Sequence, residues 1–112
     1  MSFYCYIIYS DQLDKYYIGE SEDVEKRIVE HNGAHYKGAF TSQVNDWKLF
    51  WSYQLTSRAD ARKLETFIKN MKSRSFIQKL ASKPELIIDI LNKFKGPTKR
   101  KKVTHNVTFF RL

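Results

Sequence analysis

The sequence predicts an α+β domain in which helices flank a small three-stranded antiparallel sheet, with an extra C-terminal helix and a basic tail. Aromatic and β-branched residues cluster in segments 3–9, 15–19 and 47–55, which is the composition of strands. A short polar stretch separates the first two segments, which predicts an antiparallel hairpin. From residue 57 onward, apolar residues recur at helical spacing. The simplest architecture packs these helices around one small sheet.

The first strand and the turn after the second strand contain the strongest local signals. The segment FYCYIIY is almost continuously hydrophobic, which indicates a central strand that is covered on both faces. Gly19 is expected to end the second strand, because a residue without Cβ can turn sharply. Ser21 is the expected N-cap of a helix from about residue 22 to 31, since its hydroxyl can accept from an amide of the first turn. Residues 33–46 are expected to form a loop.

Three helices are predicted in the second half. Ser57 is the expected cap of the first of them, and its apolar face contains Ala61, Leu64, Phe67, Ile68 and Met71. A short helix over residues 75–80 follows. Ser82 and Glu85 have the spacing of a capping box, which predicts a last helix.

Gly96-Pro97 is expected to end the last helix and to mark a change in composition. We therefore expect one domain over residues 1–95, with its core at about residues 2–80. Residues 96–112 are then a basic C-terminal tail.

The net charge of +8 is concentrated in the second half of the chain. Residues 1–56 have a net charge of −3, whereas residues 57–112 have +11. A cationic half predicts a polyanionic partner such as DNA or RNA, because Lys and Arg side chains release counterions from phosphates. A basic surface without any partner explains the charge alone equally well.

Composition also limits the other classes of protein. Cys5 is the only cysteine, so an internal disulfide or a cysteine zinc site is excluded, and His35 and His105 lack partners at metal-ligand spacing. No apolar run approaches the ~20 residues of a membrane span, and the N-terminus lacks a signal sequence. We expect a soluble, cytoplasmic protein with no membrane partner.

Four features stand in a characteristic order along the chain. Tyr6 lies in the first predicted strand, Tyr17-Ile18-Gly19 in the second, Arg27 in the first helix and Glu65 in a later helix. This order, with the two tyrosines eleven residues apart, resembles the GIY-YIG nuclease superfamily. The nearest resemblance is to small stand-alone members similar to the nuclease module of bacterial excision repair, and it covers about residues 2–80.

The resemblance implies a metal-dependent endonuclease that hydrolyses DNA phosphodiester bonds, with one active site that nicks one strand. Glu65 would bind Mg²⁺ or Mn²⁺. Tyr17 would act as general base or position the attacking water, with Tyr6 as its partner. Arg27 would stabilise the phosphate charge, and His31, one turn later, stands where relatives carry a His or Tyr that can hold a proton. The substrate would be DNA, including branched or flapped forms, with a role in DNA repair.

Further residues are expected at the edges of this site. Lys69 and Lys72 are predicted phosphate contacts on the Glu65 helix, and the basic run Lys99, Arg100, Lys101 and Lys102 is expected to add nonspecific affinity for nucleic acid. Small contributions are expected from Thr41, Asn45, Trp47 and Asn70. A protein partner or a homodimer stays an open alternative.

Each candidate also has an ordinary structural explanation. Glu65 is four residues from Lys69 and can pair with it, and a strand tyrosine more often fills a core. Arg27 can pair with a neighbouring Glu, and an isolated His31 is more often a surface or half-buried residue. Tyr16 and Tyr17 point to opposite faces of their strand, so only one of them can face a shared pocket.

Two departures from the family pattern support an alternative function. The first signature reads Tyr4-Cys5-Tyr6, and Glu20 follows the YIG glycine where the excision-repair relatives usually carry a basic residue. The alternative is a catalytically weak or inactive nucleic-acid-binding module of the same fold. A protein interaction domain with an aromatic surface is a third hypothesis.

Overall fold

Three strands form one antiparallel sheet, and the first strand of the chain lies at its centre. The computed structural model describes residues 2–33 and 40–95. Strand β1 spans Phe3–Ser10, β2 spans Lys15–Ser21 and β3 spans Lys48–Leu55, in the spatial order β2-β1-β3. Residues 5–8 of β1 are all buried, which confirms the central strand that its continuous hydrophobicity predicts.

The strand register decides which side chains share a face. Tyr6 lies opposite Gly19 of β2 and Ser52 of β3, and Ile8 lies opposite Tyr17 of β2. Cross-strand partners point to the same face, as do residues two apart on one strand. Tyr6, Ile8 and Tyr17 therefore share one face of the sheet.

Helix α1 spans Val24–Asn32 and covers this first face together with a 3₁₀ turn at Phe40–Gln43. Tyr6, Ile8 and Trp47 form a buried cluster there, and the partly buried Val24 and Ile28 of α1 pack against it. The spacing of Val24 and Ile28, one helical turn apart, is what turns both side chains toward the sheet.

The beginning of α1 differs from the prediction. β2 continues beyond Gly19 to Ser21, and Asp23 is the N-cap, its carboxylate accepting from the amide of Lys26 at 3.1 Å. Ser21 is buried instead, and its hydroxyl accepts from the amide of Asp23 at 3.0 Å. The physical reason is that Ser21 pairs with Tyr4 in the sheet, which fixes its backbone in the last position of the strand.

Helix α2 spans Arg58–Met71 and covers the opposite face, where the side chains of Cys5 and Ile7 point. Ser57 caps this helix as predicted, accepting from the amide of Asp60 at 3.1 Å. The buried residues of α2 recur at helical spacing and are Ala61, Leu64 and Ile68.

The chain divides into two units with the boundary between Lys72 and Ser73. Beyond the boundary, α3 spans Arg74–Ser82 and α4 spans Pro84–Lys95, and the two helices pack against each other. The predicted capping box of Ser82 and Glu85 is wrong. Ser82 is the last residue of α3 and its hydroxyl donates to the carbonyl of Lys79 at 3.5 Å, because α3 extends beyond residue 80.

These elements confirm the predicted α+β fold with a three-stranded antiparallel sheet. Within residues 2–33 and 40–95, no helix has the length and the apolar character required to cross a membrane. The predicted break at Gly96-Pro97 and the tail after it lie outside the described residues.

Candidate active site

A chain of three buried polar side chains runs beneath the first face of the sheet. The hydroxyl of Tyr6 is hydrogen-bonded to Nε2 of His31 at 3.0 Å, and Nδ1 of His31 is hydrogen-bonded to the hydroxyl of Thr41 at 2.8 Å. The exposed fraction is 1% for Tyr6, 3% for His31 and 1% for Thr41. These residues come from β1, the last turn of α1 and the 3₁₀ turn, so the fold itself brings them together.

The C-terminal end of α1 holds the segment after the 3₁₀ turn in place. The side-chain amide of Asn32 accepts from the backbone N–H of Trp47 at 2.7 Å and donates to the carbonyl of the same residue at 2.9 Å. Trp47 in turn donates from its indole Nε1 to the carbonyl of Thr41 at 2.9 Å. Thr41 is therefore fixed relative to His31 by hydrogen bonds of its neighbours.

Tyr17 lies beside this chain, and Tyr16 lies on the other face. The ring of Tyr17 makes edge contacts with His31, at 5.1 Å between centroids, and with Trp47, at 6.4 Å. Tyr16 instead contacts Tyr9 and Phe50. Across the two ranges that the structure describes, the hydroxyl of Tyr17 has no hydrogen-bond partner, which leaves it able to bind a ligand or water.

Gly19 makes room for Tyr6. A Cβ added to this glycine would lie 2.6 Å from the Tyr6 hydroxyl oxygen and 2.7 Å from Cζ, which is impossible without displacement. The glycine is needed because the side chain of Tyr6 from β1 approaches its backbone closely. The prediction that Gly19 ends β2 is wrong, because β2 continues for two more residues to Ser21. The Tyr-Ile-Gly sequence thus contributes both a tyrosine of the site and space for the other tyrosine.

Arg27 lies near His31 and lines a cavity of about 270 Å³. Its side chain is partly exposed, and Nε lies 3.5 Å from a carboxylate oxygen of Glu30. The other cations that line the cavity are Lys26 and Arg58. A partly exposed guanidinium at an open cavity is suited to bind a phosphate with its planar donor fork.

The surroundings of His31 favour its neutral form. Burial lowers the pKa of His31 below its ordinary value, the positive charge of Arg27 lowers it further, and Glu30 acts in the opposite direction. At neutral pH one ring nitrogen therefore donates and the other accepts. This side chain is more buried than the sequence suggests.

The family model of the GIY-YIG catalytic domain matches residues 2–80. The chain belongs to the GIY-YIG family. This family is a nuclease family, so the substrate class is nucleic acid.

Among solved structures, the solution NMR structure of a UPF0213 protein from Bacillus halodurans is similar to this GIY-YIG chain. The two are 26% identical, with a TM-score of 0.46, and the similarity covers 73% of this chain and 84% of the other. A comparison with curated proteins gives no match.

Glu65, the predicted metal ligand of this GIY-YIG domain, lies on α2 at the opposite face of the sheet. One carboxylate oxygen accepts from Nζ of Lys69 at 2.7 Å, and 20% of the side chain is exposed. The charge of Glu65 acts on Cys5, whose pKa is raised to about 12 by burial first and then by Glu65 and Glu20. In the described ranges, the Glu65 side chain has no other hydrogen bond or ion pair.

Glu20 also points to the α2 face, since it lies opposite Cys5 in the sheet. Its carboxylate accepts from Arg58 at 3.1 and 3.2 Å and lies 3.6 Å from Arg62. Arg58 donates to Glu22 as well, at 2.9 Å. Glu20 therefore connects β2 to the first turns of α2 and does not face Tyr6.

Within the described ranges, the remaining predicted residues are not hydrogen-bonded to Tyr6, His31 or Thr41. Lys72 ends α2 in a left-handed conformation with φ of 48° and is exposed, as are Asn45 and Asn70. The basic run at residues 99–102 lies outside the described residues. From the sequence, only a small contribution is expected from Thr41, and no role in the site is predicted for Asn32 or Arg58.

Proposed function

We propose that this GIY-YIG protein is a metal-dependent endonuclease that hydrolyses DNA phosphodiester bonds and nicks one strand at a time. The observation that carries the proposal is the buried chain of Tyr6, His31 and Thr41 beside Tyr17 and Arg27, within a family of nucleases. Burying three polar side chains is costly unless they are mutually satisfied. A connected set of buried polar side chains, with Arg27 of the same helix lining an open cavity, supports a functional role.

Tyr17 is the proposed residue that orients or deprotonates the attacking water. A phenol titrates near pH ~10, so it acts at neutral pH only with help from a neighbouring cation. Arg27 would bind the non-bridging phosphate oxygens and stabilise the charge that develops on them. Its side chain is partly exposed, so a phosphate can reach the guanidinium and compete with the 3.5 Å contact to Glu30.

Nucleases of this family generally use divalent metal ions, and Glu65 is the proposed ligand. Its carboxylate is partly exposed and suits Mg²⁺ or Mn²⁺, which need only one or two carboxylates when water and phosphate complete the shell. When bound, the ion would polarise the phosphate. The competing pair with Lys69 is worth only about 0.3–0.5 kcal/mol, so it does not prevent binding. Residues 2–33 and 40–95 contain no cluster of three metal-binding side chains.

The test is a plasmid-nicking assay of Glu65→Ala in Mg²⁺. We expect loss of cleavage with DNA binding largely intact, because the carboxylate is needed for the ion and not for the phosphate backbone. Lys69→Ala breaks the same ion pair and keeps the carboxylate; because Lys69 is itself a proposed DNA contact, this variant is expected to bind DNA more weakly but to keep Mg²⁺-dependent cleavage at saturating DNA. Retained nicking by purified Glu65→Ala would overturn the assignment of Glu65.

The proposed DNA contacts are Lys69, Lys72 and the basic run Lys99 to Lys102. Deleting residues 97–112 is expected to weaken binding and to flatten its salt dependence, because fewer counterions are released. The cleavage products should not change. Equal binding by the full chain and the shortened chain would contradict the role of the tail. A preference for branched or flapped DNA in the same assay would support a role in DNA repair.

A second candidate function is a binding module that no longer cuts. The observation that favours it is the position of Glu65, which is paired with Lys69 on the face opposite to Tyr6. Salt-sensitive binding to nucleic acid without cleavage would support it. The assay must include Mg²⁺ and Mn²⁺ and flapped, branched and single-stranded substrates, and nicking of any of them would reject it.

A further inference from the structure

Trp51 and Tyr53 of strand β3 form a stacked aromatic pair at the edge of the sheet. Their ring centroids lie 6.2 Å apart, and the two ring planes differ by 13°. In the order β2-β1-β3, strand β3 lies at one edge, and both side chains are partly exposed. Two nearly parallel rings therefore lie where a ligand can reach them from solvent.

A change of register turns this pair to the face on which α2 packs. The pairing of β3 with β1 shifts between Ile7 and Ile8, which makes Phe50 the extra residue of a β-bulge. Trp51 lies opposite Ile7, and Tyr53, two residues later on the same strand, points to the same face. The two rings thus lie side by side on the α2 face of the edge strand.

Helix α2 is held toward the other edge of this face. Its side chains Arg58 and Arg62 pair with Glu20 of β2, at 3.1 Å and 3.6 Å. Strand β2 and strand β3 lie on opposite sides of the central strand. The helix therefore covers the centre of the face and leaves the rings of Trp51 and Tyr53 partly exposed.

The polar atoms of the pair are not used by the fold. Within residues 2–33 and 40–95, neither the indole N–H of Trp51 nor the hydroxyl of Tyr53 has a hydrogen-bond partner. Trp47, by contrast, is 3% exposed and donates to the carbonyl of Thr41 at 2.9 Å, as is usual for a buried tryptophan. The pair therefore has the exposure and the unused donors of a binding surface.

We propose that Trp51 and Tyr53 bind unpaired bases of a single-stranded segment of the DNA substrate by stacking. A nucleic-acid substrate follows from the family, and its identity as DNA rests on the proposed function. Bases in a duplex already stack on one another, so only an unpaired base offers its face to a ring. Helix α2, on the same face of the sheet, carries the exposed cations Arg62, Lys63 and Lys69, whose charge is complementary to the phosphates of such a segment.

The first measurement compares two labelled strands of equal length by fluorescence anisotropy, with the full chain in EDTA to prevent metal-dependent cleavage. One strand is oligothymidylate, and the other is its abasic analogue, which keeps the sugar-phosphate backbone and lacks every base. We expect the oligothymidylate to bind at least about 5-fold more tightly, which corresponds to one stacked base. Equal affinity for the two strands would overturn the proposal.

NMR of the indole groups locates the contact. The chain contains two tryptophans, and the ¹H–¹⁵N indole signal of Trp51 is assigned as the one lost in Trp51→Phe. We expect oligothymidylate to shift this signal and the abasic strand to leave it in place, because a stacked base changes the magnetic surroundings of the ring. An unmoved Trp51 signal, or equal shifts with both strands, would overturn the assignment of the site.

Substitutions separate the rings from the phosphate contacts. Trp51→Leu and Tyr53→Leu each remove a ring and keep an apolar side chain, so affinity for oligothymidylate should fall at least about 5-fold with an unchanged salt dependence. Leu49→Ala is the matched control and should bind normally, since Leu49 is 51% exposed on the same strand but lies opposite Ile8, on the other face. Unchanged affinity of folded Trp51→Leu, or an equal loss in Leu49→Ala, would contradict the proposal. If Trp51→Leu does not fold, Tyr53→Leu and the NMR measurement decide.

The outcomes also distinguish this inference from the proposed nuclease. Base-dependent binding without cleavage would count against the nuclease and support the stacking surface. Cleavage together with base-independent binding would leave the nuclease standing and reject only the inference. If Trp51→Leu changed the oligomeric state in size-exclusion chromatography and left DNA binding the same, the pair would be an interface between copies of the chain, and the inference would be overturned.

Discussion

Replacing Gly19 with alanine would place a methyl group against the ring of Tyr6. The added Cβ would lie 2.6 Å from the hydroxyl oxygen and 2.7 Å from Cζ of that tyrosine. The ring is buried, and its hydroxyl is hydrogen-bonded to His31, so it cannot move without changing the site. The substitution therefore tests whether the signature glycine serves the approach of Tyr6.

Three contributions determine the size of the effect. Inserting a methyl group into a packed core costs about 1–3 kcal/mol, and losing the bond between Tyr6 and His31 costs about 0.5–1.5 kcal/mol. Alanine recovers about 0.5–1 kcal/mol because it loses less backbone entropy than glycine on folding. The expected net loss is about 2 kcal/mol in the free energy of unfolding.

The assay is urea unfolding followed by circular dichroism, with the DNA-nicking rate measured on the folded protein. With an m-value of about 2 kcal/mol/M, the midpoint should fall by about 1 M. Tyr6→Phe removes the hydroxyl that meets the new methyl group, so the two substitutions should couple by about 0.5–1.5 kcal/mol. Ser52→Ala is the control. Ser52 also lies opposite Tyr6 but is exposed, so its change should stay within about 0.5 kcal/mol.

One result would refute this reasoning. If Gly19→Ala were as stable as the parent protein with the same m-value, the ring of Tyr6 would not lie over the glycine. If Gly19→Ala and Tyr6→Phe changed the free energy of unfolding in a strictly additive way, the hydroxyl of Tyr6 would not lie against residue 19.

Three other predictions follow from the same geometry. Tyr17→Phe should lower the nicking rate by about 10²–10⁴-fold, whereas Tyr16→Phe, on the other face, should leave it unchanged; equal losses would contradict the assignment of faces. The pKa of His31 is lower in the folded state than in the unfolded state, so the neutral ring contributes fully to the free energy of unfolding above about pH 6.5. This contribution is lost as the pH falls through the lower folded pKa. Urea unfolding of His31→Gln across this range should therefore show a weaker pH dependence, and an unchanged slope would contradict it. Burial raises the pKa of Cys5 to about 12, so thiol reagents should modify it only after unfolding, and rapid labelling of the native protein would be inconsistent with this.

The sheet and most helices could be predicted because their signals are local. A continuous hydrophobic run is enough to identify β1 as the central strand, and the apolar spacing of α2 is enough to identify its buried face. The beginning of α1 could not be predicted in the same way, because Ser21 and Asp23 are both good capping residues. The choice between them depends on the pairing of Ser21 with Tyr4, a contact that joins distant parts of the chain.

The arrangement of the candidate site could be predicted only in part, for the same reason. Tyr6, Tyr17 and Arg27 are found by their order, and the two faces of the strand separate Tyr17 from Tyr16. The partner of His31 is not found in this way. Thr41 reaches His31 because Asn32 and Trp47 hold the intervening chain, and no local pattern in the sequence encodes those hydrogen bonds.

Glu20 shows how a departure from a family pattern can be compensated elsewhere in the fold. Its carboxylate follows the YIG glycine but points away from the face of Tyr6 and Tyr17, because its register with Cys5 turns it toward α2. There it holds the guanidinium of Arg58 at 3.1 Å, and Arg58 lines the same cavity as Arg27. A cation thus stays at the cavity although the residue after the glycine is acidic. The departure at Glu20 is therefore compatible with binding a phosphate at Arg27.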